Sequence, residues 1–196
     1  MGLVKKTINK KKSGRGMSKK KEEHETAIFA GGCFWCTQHD FDSVPGVIST
    51  TVGYTGGSKA KPSYEEVSTG DTGHVEAIQL VYDPAKVSYE KLLDIYFHQI
   101  DPTRNDGQFC DIGSQYRPVI FYANSDQQKA AENYKQKLTA EKKMGPILVE
   151  ILPAKPFYPA EKYHQEYYKK DPLKYKFYSS GSGREKRLKQ LWNHDT

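Results

Sequence analysis

Tyr89, Leu92, Leu93, Tyr96, Phe97 and Ile100 recur at i, i+3, i+4, i+7, i+8 and i+11, the spacing of one buried face of a helix. Ser88 stands in front of them as a cap and Asp101-Pro102 stops them. Around this helix the apolar runs are strand-sized. Thr26 to Ala30 reads as a strand, Cys33 to about Asp42 as a helix, and Val47 to Gly53 as a strand entered through Pro45-Gly46. A loop rich in Gly, Lys, Pro and Ser is expected from Gly53 to about Tyr64. Val75 to Tyr82 alternates as a strand up to Asp83-Pro84. A long polar loop then carries Cys110 and Asp111 to a strand over Pro118 to Tyr122. A helix is expected from Ser125 with Gln128 as its capping-box partner, and a strand over Ile147 to Leu152 after Met144-Gly145-Pro146. Strands and helices interleave without a regular repeat. The pattern predicts an α+β domain, helices packed on a mixed or antiparallel sheet, rather than a doubly wound parallel one.

Length and charge bound the rest. The 196 residues suit one domain with a tail. Residues 1–21 carry nine Lys or Arg and no acid, which leaves 21 basic against 24 acidic residues, so the overall charge of +6 becomes −3 once they are set aside. Residues 1–24 are read as a disordered basic extension, because they have too few apolar side chains to offset the entropy of ordering. Such a tail is read as solubilising rather than as a specific nucleic-acid site. No apolar stretch is long enough for a membrane span, and no signal-peptide core follows the first lysines. Three cysteines do not make a secreted disulfide framework. A reducing, cytoplasmic setting and a monomer are the expectation.

Chemistry concentrates at Gly32-Cys33-Phe34-Trp35-Cys36, after Gly31 and the first strand. Two thiols three residues apart at a strand-to-helix turn can approach each other. At a helix N-terminus the Cys33 sulfur is expected to face unpaired N–H groups, which favour thiolate over thiol. The Cys-x-x-Cys spacing alone admits a substrate-reducing thiol, a dithiol exchanger or half of a zinc site. Zinc lacks a second ligand pair of suitable spacing, and an exchanger would place small or polar residues where Phe34 and Trp35 stand. Glu76 heads the strand face that continues with Ile78, Leu80 and Tyr82. Buried without a cation, its carboxyl would stay protonated and serve as a general acid. Tyr64, Asp111 and Tyr116 are further polar candidates from loops. His74 and His164 are read as turn-closing and packing residues, the latter in a Tyr-rich helix.

Gly32-Cys33-Phe34-Trp35-Cys36, Gly53-Tyr54-Thr55-Gly56-Gly57, Pro62-Ser63-Tyr64, Gly73-His74-Val75-Glu76 and Asp111-Ile112-Gly113-Ser114-Gln115-Tyr116-Arg117 together resemble the A-type peptide methionine sulfoxide reductases. The resemblance runs from about Thr26 to Trp192 and includes Glu161-Lys162-Tyr163-His164-Gln165. The expected catalytic domain is 25–196, a two-layer fold with a ferredoxin-like core and long loops. The resemblance implies reduction of the S epimer of methionine sulfoxide, free or in proteins. Cys33 would be the attacking thiolate, Glu76 the acid, and Phe34 and Trp35 the walls for the substrate methyl group. Tyr64, Asp111 and Tyr116 would polarise the oxygen or order water. Cys33 would become a sulfenic acid, Cys36 would resolve it, and thioredoxin or an equivalent dithiol would reduce the disulfide, with no metal or bound organic cofactor. The C-terminal stretch Ser179 to Arg184 has no cysteine; Cys110, beside Asp111, is near enough in sequence to compete with Cys36 in the recycling step, but it is read first as a small packed residue.

Overall fold

The computed structural model describes residues 23–192. The basic extension expected over 1–24 therefore lies almost wholly outside the described residues. Eight strands and seven helices follow in the order β1 (Glu25–Ala30), α1 (Phe34–Asp42), β2 (Val47–Thr55), α2 (Tyr64–Ser68), β3 (Val75–Tyr82), α3 (Tyr89–His98), β4 (Gly107–Gln108), β5 (Asp111–Ile112), β6 (Val119–Tyr122), α4 (Ser125–Glu141), β7 (Glu150–Pro153), β8 (Tyr158–Pro159), α5 (Tyr167–Lys170), α6 (Pro172–Gly181) and α7 (Arg184–Trp192).

The six-stranded sheet has the order β7-β6-β1-β3-β2-β8. All its pairs are antiparallel except β6 with β7. Its centre, β6-β1-β3-β2 with α1 and α3 as the two crossovers, is the split β-α-β arrangement of a ferredoxin-like core. The α+β reading with a mixed sheet therefore holds. Period-two alternation sorts each strand onto two faces. Ala27 and Phe29 of β1 join Ile78, Leu80 and Tyr82 of β3 under Leu92, Leu93, Tyr96 and Phe97 of α3, and all of these are buried. Ala30, Val75, Ala77, Val119 and Phe121 form a second cluster on the opposite face. Each fully buried Leu or Phe in the first cluster is worth about 1.5–3 kcal/mol.

The antiparallel order places the end of β1, the end of β2 and the starts of β3 and β6 at the same rim of the sheet. That rim carries Cys33 in the turn before α1, Tyr64 at the start of α2, Glu76 at the start of β3 and Tyr116 in the turn before β6. Two glycines make the first of these turns. Gly32 has φ +85°, and a Cβ there would meet the Gln108 Cβ at 2.6 Å. Gln108 is held in turn, its side chain accepting from the Asp101 N–H at 2.7 Å and donating to the Asp101 carbonyl at 2.9 Å.

Several expected boundaries shift. β2 continues to Thr55, into the expected loop, and a short helix, α2, begins at Tyr64 where that loop was expected to end. In α2, Ser63 and Glu66 form the reciprocal capping box. Helix α3 ends at His98, two residues before the apolar stripe does, although Ile100 stays buried. The cap of α4 is Asn124, whose side chain accepts from Asp126 and Gln127 N–H, so Ser125 is the first helical residue and Gln128 instead donates to Glu132 on the exposed face. The strand expected over 147–152 begins only at Glu150, because Leu148 N–H donates to the Pro102 carbonyl at 2.7 Å and holds residues before it against the loop after α3. His164 lies in a turn, with the helix starting at Tyr167.

Because both the positive φ and the Gln108 contact exclude a side chain at position 32, Gly32→Ala is expected to lower stability by about 2–4 kcal/mol. Urea unfolding of the two proteins checks this, and equal midpoints would contradict the role given to this turn.

Candidate active site

A cavity of about 110 Å³ opens at the rim, lined by Cys33, Phe34, Trp35, Tyr64, Glu76, Asp111, Tyr116 and Tyr178. At about 30 Å³ per water it admits a group of a few heavy atoms. All the candidate residues named from the sequence line it except Cys36, which lies one helical turn beneath and is 7 % exposed. Two larger clefts, about 580 and 690 Å³, lie between β2 and α5 and along α4 and contain no thiol.

Glu76 is 4 % exposed and is the first inward-facing residue of β3 on the helix side. Its Oε2 accepts from the Phe34 N–H at 2.9 Å. Burial pushes its carboxyl up to about 8 against the pull of that amide, and Asp111 and Cys36 add to the rise. A carboxyl so raised holds its proton at neutral pH. Below about pH 8 the proton is held, and it is lost as pH rises through that value.

The same hydrogen bond alters the expectation for Cys33. Cys33 caps α1, but its side chain makes no capping bond, and the Phe34 amide of the first turn is committed to Glu76. Burial, with Cys36 and Glu76 nearby, holds the Cys33 thiol well above its ordinary value, opposed by a hydrogen bond from Tyr178. The resting Cys33 is thus a thiol, not the thiolate that the helix dipole alone would favour. Cys36 moves the other way. The hydrogen bond from Cys33 is the main cause of its lowering, with Arg184 and Tyr175 helping and burial opposing.

Aromatic groups build the walls. Trp35 stacks on Tyr167 at 4.0 Å between ring centroids and meets Tyr178 edge-on at 5.9 Å. Its indole N–H donates to His164 Nδ1 at 3.1 Å, which assigns the His164 proton to Nε2. His164 is 1 % exposed, and burial lowers its pKa, so it remains neutral. Read from the sequence as packing, it is also the post that orients Trp35. The neighbours of His164 tie the wall to the sheet: Glu161 accepts from Tyr54 Oη at 2.8 Å and from Tyr64 N–H at 2.9 Å, while Gln165 bonds both the Val52 N–H and its carbonyl.

Tyr178, from α6, is the site residue that sequence reasoning missed. Its hydroxyl donates to Asp111 Oδ2, and Cys33 is a further partner. Only its spacing of three from Tyr175, which faces Cys36, could have signalled it. Burial raises the phenols of Tyr64, Tyr116 and Tyr178 and also the Asp111 carboxyl. The three phenols remain O–H donors. Tyr178 commits its one proton to Asp111, while the Tyr64 and Tyr116 hydroxyls and the acid form of Glu76 line one small space with an apolar wall, an arrangement that stabilises negative charge developing on an oxygen.

Cys33, Cys36 and Cys110 are free thiols, and Cys110 is exposed rather than packed. Among the described residues, no three His, Cys, Asp or Glu side chains converge as metal ligands would, and no helix is long and apolar enough to cross a membrane.

Comparison with known proteins gives this geometry a family. A protein of Bacillus licheniformis, Peptide methionine sulfoxide reductase MsrA, is 52 % identical over 177 residues, covering 89 % of this chain and 98 % of its own. The crystal structure of reduced Mxr1 from Saccharomyces cerevisiae is similar with a TM-score of 0.73 at 30 % identity, covering 81 % of this chain and 92 % of that one. A second structure of Mxr1, in complex with Trx2, shares the fold with a TM-score of 0.54 at 22 % identity, covering 78 % and 91 % of the two chains. The sequence matches the family described as Peptide methionine sulfoxide reductase over residues 25–196, so the chain belongs to the A-type peptide methionine sulfoxide reductases.

Proposed function

We propose that this enzyme reduces the S epimer of methionine sulfoxide, protein-bound or free, through Cys33, and that Cys36 and an external dithiol complete the cycle. The observation that carries the reading is the buried, protonated Glu76 facing the same small cavity as the Cys33 thiol. The substrate's methyl group would rest against Phe34 and Trp35. Its sulfoxide oxygen would lie among Glu76 and the phenols of Tyr64 and Tyr116, with Tyr178 held on Asp111 at the edge of the cavity. One face of the sulfur pyramid then meets Cys33, and only one epimer can satisfy the wall and the donors together.

The electron balance is simple. Cys33 sulfur attacks the substrate sulfur while Glu76 gives its proton to the oxygen, and the Cys33 proton restores the acid. The oxygen ends on Cys33 as a sulfenic acid, so the substrate sulfur gains two electrons and Cys33 loses two. Cys36 attacks that sulfur, the S–S bond forms, the S–O bond breaks and water leaves. Thioredoxin or an equivalent dithiol then exchanges with the disulfide and is itself oxidised. The complex of the yeast relative with Trx2 supports this choice of reductant. The cycle requires neither a metal nor a bound organic cofactor, and its three free thiols suit the reducing cytoplasm.

Thioredoxin-coupled NADPH oxidation with separated epimers of a blocked methionine sulfoxide tests the assignment. Turnover of the S epimer alone is expected, lost in Cys33→Ser; turnover of the R epimer, or activity retained by Cys33→Ser, would overturn it. Cys36→Ser is expected to release one methionine per enzyme and stop with a dimedone-reactive Cys33, whereas Cys110→Ser should cycle normally. Sustained thioredoxin-dependent turnover by Cys36→Ser would remove Cys36 from the resolving role.

Glu76→Gln keeps an acceptor for the Phe34 amide and loses the transferable proton. Single-turnover methionine formation in this variant should fall by roughly 10²-fold or more. The wild-type rate of the same step should decline as pH rises through about 8, a limb absent from the variant. A wild-type rate flat from pH 6 to 9 would contradict the acid role.

A further inference from the structure

Behind Cys36, away from the cavity, lies a buried ion pair that the reduction step does not use. Asp40 is four residues after Cys36 on α1, so the two side chains share a face. Arg184, the first residue of α7, pairs with Asp40 through both guanidinium ends, its Nη1 lying 3.4 Å from Oδ1 and its Nη2 against Oδ2. The side chains are 13 % and 8 % exposed. Arg184 also donates to the Gln99 carbonyl at 3.0 Å and to Gln99 Oε1 at 2.7 Å, and it lies 5.8 Å from the centre of the Phe109 ring. Its donors are thus committed around a fixed position at the end of α3, and the C-terminal helix brings a charge to the base of α1.

We propose that Arg184 is a positioning residue for the recycling step, holding Cys36 as the thiolate that attacks the Cys33 sulfenic acid, with Asp40 as the counter-charge that fixes the guanidinium and limits its effect. The inference rests on the reading of Cys36 as the resolving thiol. In the step itself the Cys36 thiolate supplies the electron pair, the Cys33–Cys36 bond forms, the Cys33–oxygen bond breaks and hydroxide leaves as water with a proton from Glu76. Because the attacking species is the thiolate, its population sets the rate of this step.

The charged and titratable groups that face Cys36 come from every element packed there. On α1 these are Cys33, Asp40 and, through Asp40, His39, whose Nδ1 is 3.6 Å from Asp40 Oδ1. Glu76 comes from β3 and Cys110 from the β4–β5 turn. Tyr175 on α6 acts on the sulfur as well and favours the lowered state of Cys36. Arg184 is the one cation among them that keeps its charge throughout the pH range of the reaction. Asp40 acts on Cys36 in the opposite sense. The two members of the pair therefore make opposite predictions, which a purely structural ion pair would not.

The test is the rate of Cys33–Cys36 disulfide formation after mixing full-length enzyme with one equivalent of the S epimer of a blocked methionine sulfoxide, followed by rapid alkylation and mass analysis from pH 5 to 10. Methionine release in the same samples reports the reduction step. Asp40→Asn should move the pH midpoint of disulfide formation downward. Asp40→Asn with Arg184→Gln, which leaves no buried charge unpaired, should raise it above that of Asp40→Asn by about one to two units, slowing the step about tenfold or more on the acid side. Arg184→Lys should keep the midpoint near that of the wild type. Coincident midpoints in Asp40→Asn and the double variant, even with slower rates, would overturn the proposal and leave the pair a structural tie. Methionine release with no Cys33–Cys36 disulfide in the wild type would instead overturn the reading of Cys36 on which it rests.

Discussion

The hydrogen bond from the Phe34 amide to the Glu76 carboxyl ties the chemistry to the fold. It joins the first turn of α1 to the first residues of β3, and both are in place only because β1 and β3 pair antiparallel and end at the same rim. Its strength opposes the burial of Glu76 without overcoming it, so the carboxyl is held by the backbone yet keeps its proton. It also takes an amide that would otherwise favour a Cys33 thiolate. One contact therefore sets both the acid and the resting state of the thiol.

A neutral resting site follows from this. The Cys33 thiol, the Glu76 acid and the phenols of Tyr64, Tyr116 and Tyr178 enclose the cavity from different elements. Each is kept in its protonated form chiefly by the desolvation that its neighbours impose. Such donors cost little to keep dry and act most strongly when a bound oxygen takes up charge. The charge that the proposed cycle would need lies one turn below, where the Cys36 thiol is lowered and the Arg184–Asp40 pair is packed. The aromatic wall is rigid for a separate reason: Trp35 is stacked on Tyr167 and bonded to His164, so the apolar side of the cavity is set before anything enters it.

Much of this was legible in the sequence where the physics is local. The α3 stripe, the β3 alternation that turned Glu76 inward and the Gly31-Gly32 turn before Cys33 each depend on residues adjacent in the chain, and each is where it was expected. What depended on distant partners was not. Cys33 was expected to be a thiolate, because the helix N-terminus was visible and the competing Glu76 carboxyl, 42 positions from Phe34, was not. Tyr178 could not be singled out among fourteen tyrosines until Asp111 was seen to accept from it. The strand expected from Ile147 lost its first residues to the Pro102 carbonyl, a partner no apolar pattern reveals. The bond that gives His164 more than a packing role comes from the Trp35 indole, 129 positions away, and leaves no local pattern.

The proposed chemistry depends above all on Glu76 being an acid in the resting enzyme at neutral pH. Carbon-13 labelling of the glutamate side chains, with the Glu76 signal assigned by its absence in Glu76→Gln, allows its carboxyl to be titrated directly by NMR. An inflection near pH 8 is the result this account predicts; an inflection in the ordinary carboxylate range, near 4.3, would mean that Glu76 is ionised when substrate arrives and that the proton for the sulfoxide oxygen comes from elsewhere.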